Sequence, residues 1–133
     1  MIVVDTSVWI DWLAGRSVPH VARMDELMLA QAPLALCDII LHEVLRGVRS
    51  DARFDRLRQE LFVLPCLGTG GAEFAISAAR RYRTLRVKGI TIDKLTGLYI
   101  ACACLDHDTQ LLHNDRDFDP LEKQFGLRVM KMN

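Results

Sequence analysis

The chain lacks a cysteine scaffold, because the four cysteines it has are badly placed for one. Cys37, Cys66, Cys102 and Cys104 include no Cys-x-x-Cys pair. Cys102 and Cys104 are spaced so that a helix would turn them to different sides. This excludes a zinc framework and a disulfide framework, and it predicts buried free thiols in a reducing compartment. An excess of charge is also missing: 17 basic residues balance 17 acidic ones. A whole-molecule basic field for nucleic acid is therefore absent, and only local patches can serve. Two such patches exist. One is Arg46, Arg49, Arg53, Arg56 and Arg58; the other is Arg80, Arg81, Arg83, Arg86 and Lys88. Each reads either as a solvated helix face or as a contact for phosphates or a partner. No apolar run is long enough to cross a bilayer. Asp5 interrupts the apolar start and no basic stretch precedes it, so no signal peptide is expected. A cytoplasmic protein without a membrane partner follows as the expectation.

What is present is apolar. Half of the residues are hydrophobic and 26% are charged, which excludes disorder for the chain as a whole. A length of 133 residues predicts a single domain over 1–133. The apolar share leaves room for an exposed face that a partner or a second copy would cover.

Short apolar runs alternate with helical periodicity. Met1-Ile2-Val3-Val4 is β-branched and too short for a helix, so it reads as a buried parallel strand. Thr6 and Ser7 are good caps for a helix over Val8 to Leu13 that ends near Gly15. Further helices are predicted over Val21 to Ala30, Ile39 to Leu45 with Asp38 as cap, Asp51 to Leu61, Ala72 to Leu85 and Asp93 to Leu105. Phe54, Leu57 and Leu61 should face inward. Strands are predicted at Pro33 to Leu36, Phe62 to Pro65 and Gln110 to Leu112, with a last edge strand at Leu127 to Met130. This alternation predicts a three-layer α/β/α fold with a small parallel sheet.

Acidic residues fall at element ends or inside apolar helices. Asp5 follows the first strand, at the carboxyl end where open α/β sheets place their ligands. Glu43 lies among Ile39, Ile40, Val44 and Leu45, where a carboxylate is costly unless paired or metal-bound. Asp115, Asp117 and Asp119 follow the late strand. Taken singly, each has a plain structural reading: an N-cap for Asp5, an ion pair with Arg46 for Glu43, a polar turn for the rest. Jointly they would repel one another unless a cation relieved the charge. Oxygen-only ligation favours Mg²⁺ or Mn²⁺ over Zn²⁺. Such a centre activates water and neutralises a phosphodiester, so the residues point to a metal-dependent nuclease.

Three segments carry a resemblance: Val3-Val4-Asp5-Thr6-Ser7-Val8-Trp9-Ile10, His42-Glu43-Val44-Leu45-Arg46-Gly47, and Leu111-Leu112-His113-Asn114-Asp115-Arg116-Asp117-Phe118-Asp119. In this order they resemble a PIN domain, and more narrowly the VapC-type ribonuclease toxins. The resemblance spans nearly the whole chain. It implies a PIN-like α/β/α domain, Mg²⁺- or Mn²⁺-dependent endoribonuclease activity on RNA, a homodimer, and a cognate VapB-type antitoxin as partner. By position, Asp5, Glu43 and Asp115 match the catalytic, metal-binding acids, and Asp117 matches an auxiliary acid. Thr6 or Ser7 matches the hydroxyl beside the first aspartate, and Asn114 and Arg116 are candidates for holding substrate.

One position departs from the family pattern. The acid that opens the family's Asp-x-Leu-Ile-Ala motif falls on Gly97 of Gly97-Leu98-Tyr99-Ile100-Ala101. Asp93, one helical turn earlier, is a weaker candidate for that ligand. Either the site works with fewer acids, or the chain is an attenuated or inactive form whose remaining role is to bind RNA or antitoxin. Phosphotransfer folds fit poorly: a dehalogenase-like phosphatase needs an acid at Ser7, and a receiver domain needs an aspartate near Leu64-Pro65-Cys66. The four histidines show no ligand or triad spacing and read as surface or structural. Trp9 and Trp12 read as core or dimer contacts rather than as a stacking platform.

Overall fold

Four short strands, β1 (Ile2–Val4), β2 (Leu34–Cys37), β3 (Cys66–Leu67) and β4 (Gln110–Leu112), pair in parallel in the order β3-β2-β1-β4. They appear in a computed structural model that describes residues 1–132. Ile2 pairs with Leu34 and with Gln110, and Leu36 pairs with Cys66. Val3, Val4, Ala35, Leu36, Leu111 and Leu112 are buried almost completely, as strands covered on both faces require. The helices are α1 (Thr6–Leu13), α2 (Pro19–Leu29), α3 (Asp38–Arg46), α4 (Asp51–Phe62), α5 (Ala72–Val87), α6 (Leu95–Asp106) and α7 (Asp119–Phe125), with a 3₁₀ turn at Arg116–Phe118. Together they make the predicted three-layer α/β/α architecture.

From β1 the chain moves outward to β2 and β3, then returns to add β4 on the other side of β1. The winding thus reverses between β1 and β4. At that switch point the loops leaving the carboxyl ends of two neighbouring strands part and leave a crevice. Asp5 leaves β1 there, and its backbone N–H donates to Leu112 O at 2.9 Å, extending the β1–β4 ladder by one residue. His113, Asn114 and Asp115 leave β4 beside it.

Several expectations need correction. The strand predicted at Phe62 to Pro65 lies later, at Cys66–Leu67. Phe62 closes α4 and Val63 caps it, both exposed, and Pro65 has no N–H for a ladder. The Pro65 carbonyl still accepts from Leu36 N at 2.8 Å. The segment Leu127 to Met130 does run along β4, but only as an isolated parallel bridge between Leu111 and Val129. α6 begins at Leu95 rather than Asp93. In α4 only Leu61 is fully buried, with Phe54 and Leu57 partly so. Cys37, Cys102 and Cys104 are buried free thiols, whereas Cys66 is exposed. Burial pushes the Cys104 thiol up to about 11. Trp9 is core, edge-on to Trp12 with centroids 5.9 Å apart. Trp12 reaches outward to donate from Nε1 to Asp25. Among the described residues no helix is long and apolar enough to cross a membrane.

Candidate metal and catalytic site

The site is built around the first turn of α1. Asp5, not Thr6 or Ser7, is the N-cap of that helix. Its backbone is extended (φ −68°, ψ 157°), and its Oδ2 accepts from Ser7 N at 3.0 Å, as a capping carboxylate does. Ser7 Oγ donates to the same oxygen at 2.6 Å. The two hydroxyls expected as caps are therefore spent on acids: Ser7 on Asp5, and Thr6 on Glu43, whose Oε1 accepts from Thr6 Oγ1 at 2.9 Å. Glu43 comes from the interior of α3, 37 residues from Thr6 in sequence. A threonine next to Asp5 thus draws the second acid to the first.

Asp5 is 5% exposed. Burial pushes its carboxyl above the usual range, against the downward pull of the Ser7 hydrogen bonds and the nearby His113. Among the described residues no lysine, arginine or histidine makes an ion pair with it. The pair expected between Glu43 and Arg46 exists only at 3.8 Å, from an arginine side chain that is 62% exposed. That is beyond hydrogen-bond reach and worth little in water.

The β4 loop is tied to the same centre. Asn114 N donates to Ser7 Oγ at 3.1 Å, so one hydroxyl bridges Asp5 and the loop. Asp115 N donates to His113 Nδ1 at 3.1 Å. The Asp115 carboxylate caps the 3₁₀ turn by accepting from Asp117 N at 2.9 Å. Asp115 and Asp117 are half-buried, while Asn114, Arg116 in the 3₁₀ turn and Asp119 at the start of α7 are exposed. Asp93 is exposed and precedes α6, so the helical relation to position 97 expected from the sequence is absent. Gly97 is the third residue of α6, whose first turn holds no acid, and a Cβ there would meet nothing within 4 Å.

The donor set is oxygen only, no protein cation pairs with Asp5, and Arg46 meets Glu43 only at 3.8 Å, which suits a hard divalent ion. Among the described residues no three His, Cys, Asp or Glu groups are gathered into a ready cage. Mg²⁺ does not need one, because it keeps several waters and is commonly held by one or two carboxylates. Asp5 and Glu43, brought together by Thr6, fit that requirement.

Sequence reasoning passed over His113. Burial holds its imidazole below the usual range, against the opposite pull of Asp5, Asp119 and Asp115. Its place one residue beyond β4, beside the Asp5 strand, was the available signal. His20 is structural as expected, buried with Nε2 2.8 Å from Asp11. Asp38 is the first residue of α3 rather than its cap, and its carboxylate accepts from Thr69 N and Thr69 Oγ1.

A groove of about 580 Å³ reaches Glu43 from between α1, α3 and α4. Ile10, Leu13, Val44, Val48 and Leu57 give it an apolar lining, and Arg49, Arg53 and Arg56 border it. In the second basic patch, Arg81 is engaged by Asp106, Arg86 by Thr91 and Lys88 by Gln124.

Comparison with known proteins bears on the family and the fold. The chain is 28% identical over 130 residues to a VapC ribonuclease of Mycobacterium bovis, covering 97% of each chain. The identity to ribonuclease VapC11 of Mycobacterium tuberculosis has the same extent. Its fold is similar to VapBC2 from Rickettsia felis bound to a promoter DNA fragment, with TM-score 0.74, 17% identity and full coverage of both chains. It is also similar to VapBC-1 from nontypeable Haemophilus influenzae, with TM-score 0.72, 22% identity and 98% coverage of each. The PIN domain model matches residues 2–124, and the chain belongs to the PIN domain family.

Proposed function

We propose that this chain is a VapC-type toxin: a cytoplasmic, Mg²⁺- or Mn²⁺-dependent endoribonuclease held in check by a VapB-type antitoxin, and a homodimer. The observation that carries this is the pair of hydrogen bonds from adjacent hydroxyls, Ser7 to Asp5 and Thr6 to Glu43. They gather two acids from distant segments at the strand switch point. The ribonuclease names of its relatives support the same activity.

Asp5 and Glu43 would hold the cation directly. Asp115 would reach it through water, with Asp117 in support. When bound, such a cation acidifies a coordinated water and neutralises charge on the phosphodiester. Ser7 and Thr6 fix the two carboxylates before substrate arrives, which removes reorganisation from the reaction. Asn114 and Arg116 stand exposed at the crevice to contact RNA, and Arg49, Arg53 and Arg56 hold flanking phosphates along the groove. The apolar lining of that groove suits an antitoxin segment, which would exclude RNA from the path to Glu43.

Gly97 favours a second reading, a PIN module that binds RNA or antitoxin without cutting. One assay separates the two: cleavage of a total RNA pool with Mn²⁺ by the chain, by Gly97→Asp, and by Asp5→Ala in each background. Cleavage by the unsubstituted chain that Asp5→Ala abolishes establishes the enzyme. Cleavage by Gly97→Asp alone, lost again with Asp5→Ala, establishes a binding module with a disabled centre. Cleavage that survives Asp5→Ala and EDTA rejects the metal site.

A further inference from the structure

The scheme above leaves the imidazole of His113 unused, although that ring bonds the Asp115 backbone and feels the charge of Asp5. Its Nδ1 accepts the Asp115 backbone N–H at 3.1 Å. Its ring rests on Phe118, centroids 4.7 Å apart and planes tilted by 45°. An Nδ1 that accepts a hydrogen bond places the proton of the neutral ring on Nε2, and this assignment follows from the bonding pattern. Nε2 is buried and has no partner among the described residues. A buried donor without an acceptor is a cost, and a leucine or phenylalanine would cover Phe118 without it. What the imidazole supplies, and an apolar side chain does not, is an acceptor aimed at Asp115 N–H.

The neighbouring residue shows the same device. Asn114 N–H is held by Ser7 Oγ, which also donates to Asp5. Two consecutive backbone N–H groups are thus each fixed by a side-chain acceptor, and together they set the loop against the first acid. We infer that His113 is a positioning residue of the acid centre: through Nδ1 it fixes where Asp115 stands relative to Asp5, and so tunes the affinity of the site for a divalent cation. This rests on the metal-dependent reading of the site given above.

The test compares Mn²⁺ binding by calorimetry, and amide exchange at Asp115 by NMR, in the full chain and in His113→Asn, His113→Gln and His113→Ala. Asparagine puts its Oδ1 close to the place of Nδ1, whereas glutamine carries its oxygen out toward the place of Nε2. The asparagine form should keep Mn²⁺ affinity and a protected Asp115 amide. The glutamine and alanine forms should lose roughly 10- to 100-fold in affinity, as when a partner that orients a ligand is removed, and exchange faster at Asp115. If alanine unfolds the loop, the asparagine–glutamine contrast decides. Equal affinity in all forms overturns the inference. So does equal loss in the asparagine and glutamine forms, because the position of the acceptor then has no influence. If the unsubstituted chain binds no Mn²⁺, the metal-dependent reading itself falls, and the positioning role falls with it.

Discussion

Asp5 uses one carboxylate for two tasks, and the two make different demands on its charge. Capping α1 needs only an acceptor for Ser7 N, which an amide oxygen also provides. Holding a cation needs the full negative charge, and burial opposes that charge. Because the folded carboxyl titrates above its ordinary value of 3.8, the folded state binds the proton more tightly than the unfolded chain does. Its contribution to stability is complete below that value and is lost as pH rises through the folded pKa. Asp5→Asn should therefore raise the metal-free Tm at neutral pH, and the gain should vanish in a scan taken below pH 3.8. Mn²⁺ should then raise the Tm of the unsubstituted chain and leave Asp5→Asn unmoved. A metal-free Asp5→Asn less stable than its parent at neutral pH would mean that a protein donor, not a cation, already satisfies this charge. Thr6→Val keeps shape and removes the hydroxyl that holds Glu43. It should cost about 1 kcal/mol of stability in urea unfolding, the usual worth of one hydrogen bond. It should also weaken Mn²⁺ binding roughly 10-fold or more, as loss of a group that orients a ligand does.

The helices and strands differ in how far the sequence alone revealed them. β1, β2 and β4 were legible because apolar runs bounded by polar residues have one good fate in a parallel sheet. β3 was not, because Phe62 and Val63 look like strand residues but finish α4 instead, and two ladder residues leave little pattern. The acids were legible singly, from their places after β1, inside α3 and after β4. The hydroxyls that assemble them were not, since a hydrogen bond between Thr6 and Glu43 has no periodicity to announce it. The start of α6 was misplaced by two residues, and this changes what Gly97 means. In a helix interior glycine would cost about 1 kcal/mol against alanine. In the first turn the cost is smaller, and the turn also lacks the acid that would suit its dipole. The open space at its Cβ position admits a side chain. Gly97→Ala should thus raise stability by up to ~1 kcal/mol without changing Mn²⁺ affinity. Gly97→Asp should add a dipole contribution of about 0.3–1 kcal/mol and tighten Mn²⁺ as well. Calorimetry on both variants separates helix repair from ligand gain, and equal Mn²⁺ affinity in the two would remove position 97 from the metal site.

At the scale of the molecule, zero formal net charge means that no general field draws RNA to the surface. Attraction must come from a local row of cations, and the two basic patches are not equivalent. The patch on α5 is partly occupied by Asp106, Thr91 and Gln124, whereas Arg49, Arg53 and Arg56 border the groove that leads to Glu43. If those three arginines hold phosphates of a single strand, each should contribute about 0.7 to the slope of log K against log salt. Replacing all three by alanine should flatten that slope by about 2, with the loss spread evenly over RNA sequences, since phosphate contacts carry no base information. Replacing Arg80, Arg83 and Lys88 together should change the slope much less. The measurement is fluorescence anisotropy of a labelled single-stranded RNA across a salt series, made with Asp5→Ala in every variant so that nothing is cut. An unchanged slope in the groove variant, or a larger change from the α5 variant, would move the RNA path off the groove. The groove would then be left to the antitoxin alone, and inhibition would have to act at a distance rather than by occupying the substrate's own track.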